Sequence, residues 1–286
     1  MSTFSLIIAL VLDRSYEDLQ GYRNFHWLSS YYRWLVEHWK IDQYGFWFAA
    51  GPLLLSILLL IALLDGLFKN ALFGVFELAF NVAIAAVCLG PRSLDRDIDV
   101  YIDSLGDENS GQTARAATWP GVDAGNPKSD EAIDQLAFGV FVMGNRSLYS
   151  VIFWMVLAGP VGVVAYRLCE RLAMQFDFSD KLDLQERATQ LMGWMEWLPA
   201  LLSSYAFMIC GSFDAGLNRN RHLPVLGQNI ADINHQRLHQ VGMACSGVDT
   251  ENNHLSAIDK IKKLRGLVLR SLVAWIVIAA LVEFLA

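Results

Sequence analysis

The chain has 286 residues, is 54% hydrophobic and 18% charged, and carries a formal net charge of −7. A charged fraction below the usual quarter of a soluble domain, with a negative balance, excludes a nucleic-acid binder. Length alone permits two soluble domains, but the long apolar runs make this a membrane protein.

Residues 1–45 open with Ser5–Leu12, apolar but too short to cross a bilayer. The start lacks the basic region and cleavage site of a signal peptide, so a retained N-terminus is expected. Asp13–Gln43 reads as interfacial helix. Leu28, Tyr31, Tyr32, Leu35 and Val36 recur at helical spacing, and Arg23, Arg33 and Lys40 sit beside Trp27, Tyr31, Trp34 and Trp39. His26 and His38 read as interfacial polar residues. Residues 46–90 read as a transmembrane hairpin: Phe46–Leu67, whose only charge is Asp65 near its end, and Ala71–Gly90 returning. Glu77 and Asn81 fall four apart on one face of the return, where a carboxylate needs protein or water around it.

Residues 91–147 are polar. Asp95, Asp97 and Asp99 alternate as in a calcium loop, but Val100 stands where that loop needs glycine. Leu94, Ile98, Ile102 and Leu105 form a helical stripe, so an amphipathic helix with a solvated acidic face is expected. Glu108–Thr118 stays polar, with helix in reach through Arg115. Trp119–Ser129 is a loop by its turn formers, and Asp130–Val142 is helical.

Residues 148–210 return to the membrane. The run from Leu148 to Val164 follows a polar entry at Asn145, Arg146 and Ser147, and closes on Tyr166, Arg167, Glu170 and Arg171. Gly159, Pro160 and Gly162 interrupt it. Proline frees a carbonyl that hydrocarbon cannot satisfy, so a kinked membrane helix packed on its neighbours is expected, with 148–166 either spanning or re-entering. Phe176–Arg187 reads as a charged connection. Leu191–Gly211 is apolar around Glu196 and Pro199 and is expected to span or to re-enter.

Residues 211–266 form the second polar region. Arg219, Arg221 and His222 read as a solvated basic turn. His235 and His239 share a helix face, but no third ligand stands nearby, so no metal is expected. Leu255, Ile258, Ile261 and Leu264 give a stripe ahead of Lys260, Lys262, Lys263 and Arg265, and 267–286 is the last span. Cys88, Cys169, Cys210 and Cys245 have no metal-type spacing and read as small apolar residues.

Lys and Arg concentrate in 13–45, 91–147 and 211–266; if 148–166 and 191–210 both span, or neither does, these regions share one side, expected to be the cytoplasm. The expected architecture is all-α: a polytopic helical membrane protein with cytoplasmic helical regions. No phosphate-binding, dinucleotide-binding, zinc-protease or serine-hydrolase motif occurs, so no catalytic residue and no cofactor is assigned. The sequon at Asn145 lies against the membrane and reads as accidental. A ligand site is expected at Asn145, Arg146, Tyr166, Arg167 and Glu196, because polar groups at a membrane boundary are costly without partners.

Asn145, the run through Phe153 and Trp154, Gly159, Pro160 and Tyr166 resemble in order and spacing a segment of the CobD/CbiB family. Those membrane enzymes form the amide between cobyric acid and an aminoalcohol or its phosphate. Trp197-Leu198-Pro199-Ala200 is similar to the family's Y-L-P-A-R element, and Asp13 matches the end of its first helix. The family's acids are missing: Gly144 and Leu148 replace them, Cys169–Leu172 stands near its N-T-L-D, and G-R-D-T has no counterpart between Ala114 and Val122. The pattern as a whole looks closer to AmpE, the inner-membrane relatives encoded with the AmpD amidase, which lack the synthetase motifs. That resemblance implies a multi-pass protein of the bacterial inner membrane and a regulatory role in β-lactamase induction. A third reading is a membrane ligand-binding module for a cell-wall fragment or nucleotide; the lipid bilayer is the other expected partner.

Overall fold

In the computed structural model, the described residues are 2–15, 26–39, 46–68, 74–89, 94–106, 129–174, 182–223, 229–248 and 256–285. Every element among them is helical: α1 (Ser2–Ser15), α2 (His26–Trp39), α3 (Phe46–Phe68), α4 (Val75–Cys88), α5 (Leu94–Gly106), α6 (Asp130–Gly144), a π turn (Asn145–Tyr149), α7 (Ser150–Met174), α8 (Leu182–Cys210), α9 (Phe213–Arg221), α10 (Ile230–Ser246) and α11 (Ala257–Leu285). The expected helix through Arg115 and the loop at 119–128 lie outside the described residues, as does 16–25 of the interfacial segment.

Local chemistry sets several boundaries. Ser129 caps α6 by accepting the Ala132 N–H at 3.1 Å, with Asp130 and Glu131 in the first turn where the helix dipole favours acids. Asn229 caps α10 through the Ala231 N–H, and Gly247 ends it in the left-handed region. Ser256 accepts the Asp259 N–H and donates to its carboxylate, which starts α11.

Three helical stretches among the described residues are long and apolar enough to cross a membrane: Ala50–Phe68, Asp130–Met174 and Ala257–Leu285. The first buries only 6% of its apolar window, so Leu55, Leu59, Leu63 and Leu67 face outward and require an apolar solvent. Its expected partner is shorter than the run 71–90 suggests. α4 has 14 residues, about 21 Å of helix against roughly 30 Å of hydrocarbon. It stops because Leu89 turns extended (φ −61°, ψ 151°). α4 packs on α3 and more broadly on α1 and α7.

The run at 148–166 departs most from expectation. At Gly159 the backbone takes φ 62° and ψ −155°, a conformation only glycine adopts without strain, and Pro160 begins a second helix. The result is a reversal and not a kink. The Tyr166 hydroxyl reaches the Arg146 carbonyl (3.4 Å) and the Arg167 guanidinium reaches the Ser147 carbonyl (3.4 Å). An uninterrupted helix would hold groups twenty residues apart separated by about 30 Å. Gly162 permits the arms to meet, since a Cβ there would lie 2.9 Å from the Trp154 carbonyl oxygen.

Two helices run through boundaries that composition suggested. α8 begins at Leu182, inside the charged connection, because Leu184, Ala188 and Met192 repeat at four-residue spacing and bury. α11 joins the expected polar stripe and the last span in one helix of 29 residues. The acidic face of α5 is not simply solvated: Arg265 of α11 pairs with Asp99 (2.6 Å) and Asp95. Lys260 likewise pairs with Asp130 at the start of α6. At the opposite end of α11, Glu283 accepts the Thr3 N–H at 2.7 Å and ties down α1.

Candidate functional site

The π turn at Asn145–Tyr149 organises the site. It adds a residue to one turn, closed by the Ser150 N–H on the Asn145 carbonyl, and so re-aims the side chains around it. Asn145 and Arg146 point to α8, whereas Tyr149 points to α11. There its hydroxyl meets Ser271 Oγ (2.6 Å) and the Val268 carbonyl (3.0 Å).

Arg146 Nε donates to Glu196 Oε1 at 2.8 Å, and Glu196 is 1% exposed. The Tyr166 hydroxyl stands 3.4 Å from the same oxygen. Arg146 Nη2 lies 2.8 Å from His235 Nε2 of α10. Glu196 Oε2 lies 3.4 Å from the same nitrogen, so His235 borders both members of the Arg146–Glu196 pair. The edge of the cluster reachable from outside is formed by Arg146 and His235, whose side chains are 15% and 17% exposed, beside Met174.

Around this ion cluster lies a polar ring. Ser203 donates to Asn145 Oδ1 (3.0 Å), and Asn145 Nδ2 donates to Ser150 (3.3 Å). Asn234, next to His235, donates to the Gly193 carbonyl one turn before Glu196, at 2.8 Å. Arg167 lies on the other side of Tyr166. Its guanidinium donates to Glu170, to the Ser147 carbonyl and to the Cys88 carbonyl at the end of α4. That last contact satisfies a carbonyl the helix itself leaves open.

The structure therefore brings together four of the five residues expected from the sequence. Asn145, Arg146, Tyr166 and Glu196 share one cluster, and Arg167 joins it through the hairpin's second arm and α4. The sequence did not point to Ser203, Glu170, Asn234 or the role of His235. His235 and His239, read as a pair, part company: His239 meets Asp134 at 3.0 Å. No group of three metal-ligating side chains forms among the described residues.

A family profile described as "Regulatory signalling modulator protein AmpE" matches residues 1–285. The chain belongs to the AmpE family. No curated protein and no solved structure matches it at a significant level. This AmpE-family member is a regulatory membrane protein, and its buried Glu196 joins α8 to the hairpin through Arg146 and to α10 through His235. A buried ion pair is a poor source of net stability.

Proposed function

We propose that this chain is a multi-pass regulator of the inner membrane that links cell-wall status to induction of chromosomal β-lactamase, and that it acts without catalysing a reaction. The family match over residues 1–285 carries this reading. The site supports binding over chemistry. Its two buried carboxylates, Glu196 and Glu170, are already held by Arg146 and Arg167.

In this reading a small cell-wall fragment engages the cluster at its Arg146–His235 edge. Asn145, Arg146, Tyr166, Arg167 and Glu196 register it, because any group that displaces the Arg146–Glu196 contact must rearrange the hairpin against α8. The test is β-lactamase activity after induction in a strain deleted for this gene. Complementation with the natural chain should restore the parental response, and Asn145→Ala with Arg146→Ala should not, at equal membrane abundance. Unchanged induction in the deletion strain overturns the regulatory role. Growth restored by this chain in an auxotroph lacking the cobalamin amide synthetase would replace it with an enzymatic one.

A further inference from the structure

One ring nitrogen of His235 faces two groups with opposite needs. Arg146 Nη2 lies 2.8 Å from Nε2, and a guanidinium can only donate, so this contact is a hydrogen bond while Nε2 carries no proton. Glu196 Oε2 lies 3.4 Å from the same nitrogen, and a carboxylate can only accept, so this contact becomes one when Nε2 carries a proton. One nitrogen cannot serve both. Histidine is the side chain whose charge changes between about pH 5 and pH 8. With 17% of its side chain exposed, His235 can exchange protons with solvent, whereas Glu196 is 1% exposed.

The neighbouring groups leave the choice to these two. The Tyr166 hydroxyl approaches Glu196 at its other oxygen, Oε1. His239, one turn along α10, meets Asp134 of α6 at 3.0 Å. Phe138 of α6 packs edge-to-face with both imidazoles. Among the described residues, the charged partners of His235 are Arg146 and Glu196.

The charge of the accessible edge follows from that nitrogen. With His235 neutral, Arg146 and Glu196 cancel and Nη2 is spent on the imidazole. With His235 protonated, the three side chains carry one net positive charge and Nη2 has lost its acceptor. Among the described residues, Nη1 meets only the Met174 sulfur, at 4.0 Å. Nη1 and Nη2 then form the free end of a guanidinium whose Nε stays on Glu196. A free guanidinium end holds a carboxylate by two parallel hydrogen bonds. Met174 and Phe138, 54% and 38% exposed, place apolar surface around the cluster.

We propose that the Arg146–His235 edge is a proton-gated site for a carboxylate: His235 Nε2 takes up one proton and turns to Glu196, and the freed end of Arg146 receives the ligand. This rests on the regulatory reading above and names the chemistry its ligand must carry. Glu196 keeps a cation on each oxygen throughout, so the buried carboxylate is not left unpaired.

The experiment titrates the full chain in detergent with N-acetylmuramate, a cell-wall sugar whose carboxylate stays ionised across the histidine range. Calorimetry in two buffers of different protonation enthalpy counts the protons exchanged. At about pH 8 binding should take up close to one proton, and at about pH 5 close to none. Affinity should fall as pH rises, approaching about tenfold per unit above the histidine range. N-acetylglucosamine, which lacks the carboxylate, should not bind. His235→Gln, which still hydrogen-bonds but does not titrate, should lose the proton uptake and the pH slope, and His239→Gln should keep both. The natural chain alone can refute the proposal: equal affinity at both pH values, binding without proton uptake, or no binding of N-acetylmuramate at either pH overturns it. Binding without proton uptake is also the result a change of tautomer alone would give. A pH slope that survives in His235→Gln overturns it as well. The regulatory reading fails separately, on unchanged β-lactamase induction in the deletion strain. Absent or pH-independent binding alongside an induction defect in that strain removes this inference alone.

Discussion

Removing the carboxylate of Glu196 is the most informative single perturbation. Glu196 and Arg146 meet at 2.8 Å with side-chain exposures of 1% and 15%, so little solvent replaces the lost partner. Breaking a buried pair from one side costs about 3–5 kcal/mol, because the surviving charge stays desolvated. At about 2–4 °C per kcal/mol for a chain of this size class, Glu196→Ala should lower the apparent melting temperature in detergent by roughly 6–20 °C. Arg146→Met should act similarly. Arg146→Met combined with Glu196→Leu should cost far less than the sum, since no orphan charge remains and the apolar replacements fill the space. That double variant separates stability from regulation: it should fold and reach the membrane yet fail to support β-lactamase induction. The reasoning is refuted if Glu196→Ala melts within about 3 °C of the parent, or if the double variant loses as much as the two singles added together.

Gly159→Ala should lose about 1–3 kcal/mol, read as a lower melting temperature, because alanine at φ 62° and ψ −155° is strained. Pro160→Ala, at the first position of the following arm, should cost well under that. Tyr149→Phe should cost only about 0.5–1.5 kcal/mol by the same assay, since Ser271 retains the Val268 carbonyl at 2.9 Å. Burial pushes the Cys245 thiol up to about 11. Reaction requires the thiolate, so at pH 8 Cys245 should label with maleimide far more slowly in the folded chain than after unfolding in SDS. Reporters fused near Gly111 and Asn229 should report the same side of the membrane, and opposite sides would break the assignment made from basic residues.

Helical periodicity made α5 and α6 legible, because Ile98 and Leu105 recur on a face that does bury. It did not reveal what the opposite face of α5 meets. Asp99 finds Arg265 at a separation of 166 residues, and periodicity carries no information across such a distance. α8 was cut short for a related reason. Glu186 and Arg187 dominate the local composition, whereas the four-residue spacing of Leu184, Ala188 and Met192 marks the helix beneath them. Gly159 and Pro160 announced an interruption in a membrane run. Whether such a pair bends or reverses the chain depends on what the second arm can grip, and the grip here is Arg167 on the Ser147 and Cys88 carbonyls.

The site was legible to the extent that its residues were expensive. Asn145, Arg146, Tyr166, Arg167 and Glu196 stand in or beside apolar runs, where an unpartnered polar group costs several kcal/mol, about the margin of a whole domain. Their position therefore implied partners: Arg146, Tyr166 and Glu196 meet one another, whereas Asn145 meets Ser150 and Ser203 and Arg167 meets Glu170 and the Ser147 and Cys88 carbonyls. The same logic could not find His235, which sits in a polar helix where a histidine costs nothing, or Ser203, whose hydroxyl can bond its own helix. These two decide the geometry nonetheless. His235 takes the second arm of the Arg146 fork, and Ser203 fixes the orientation of Asn145.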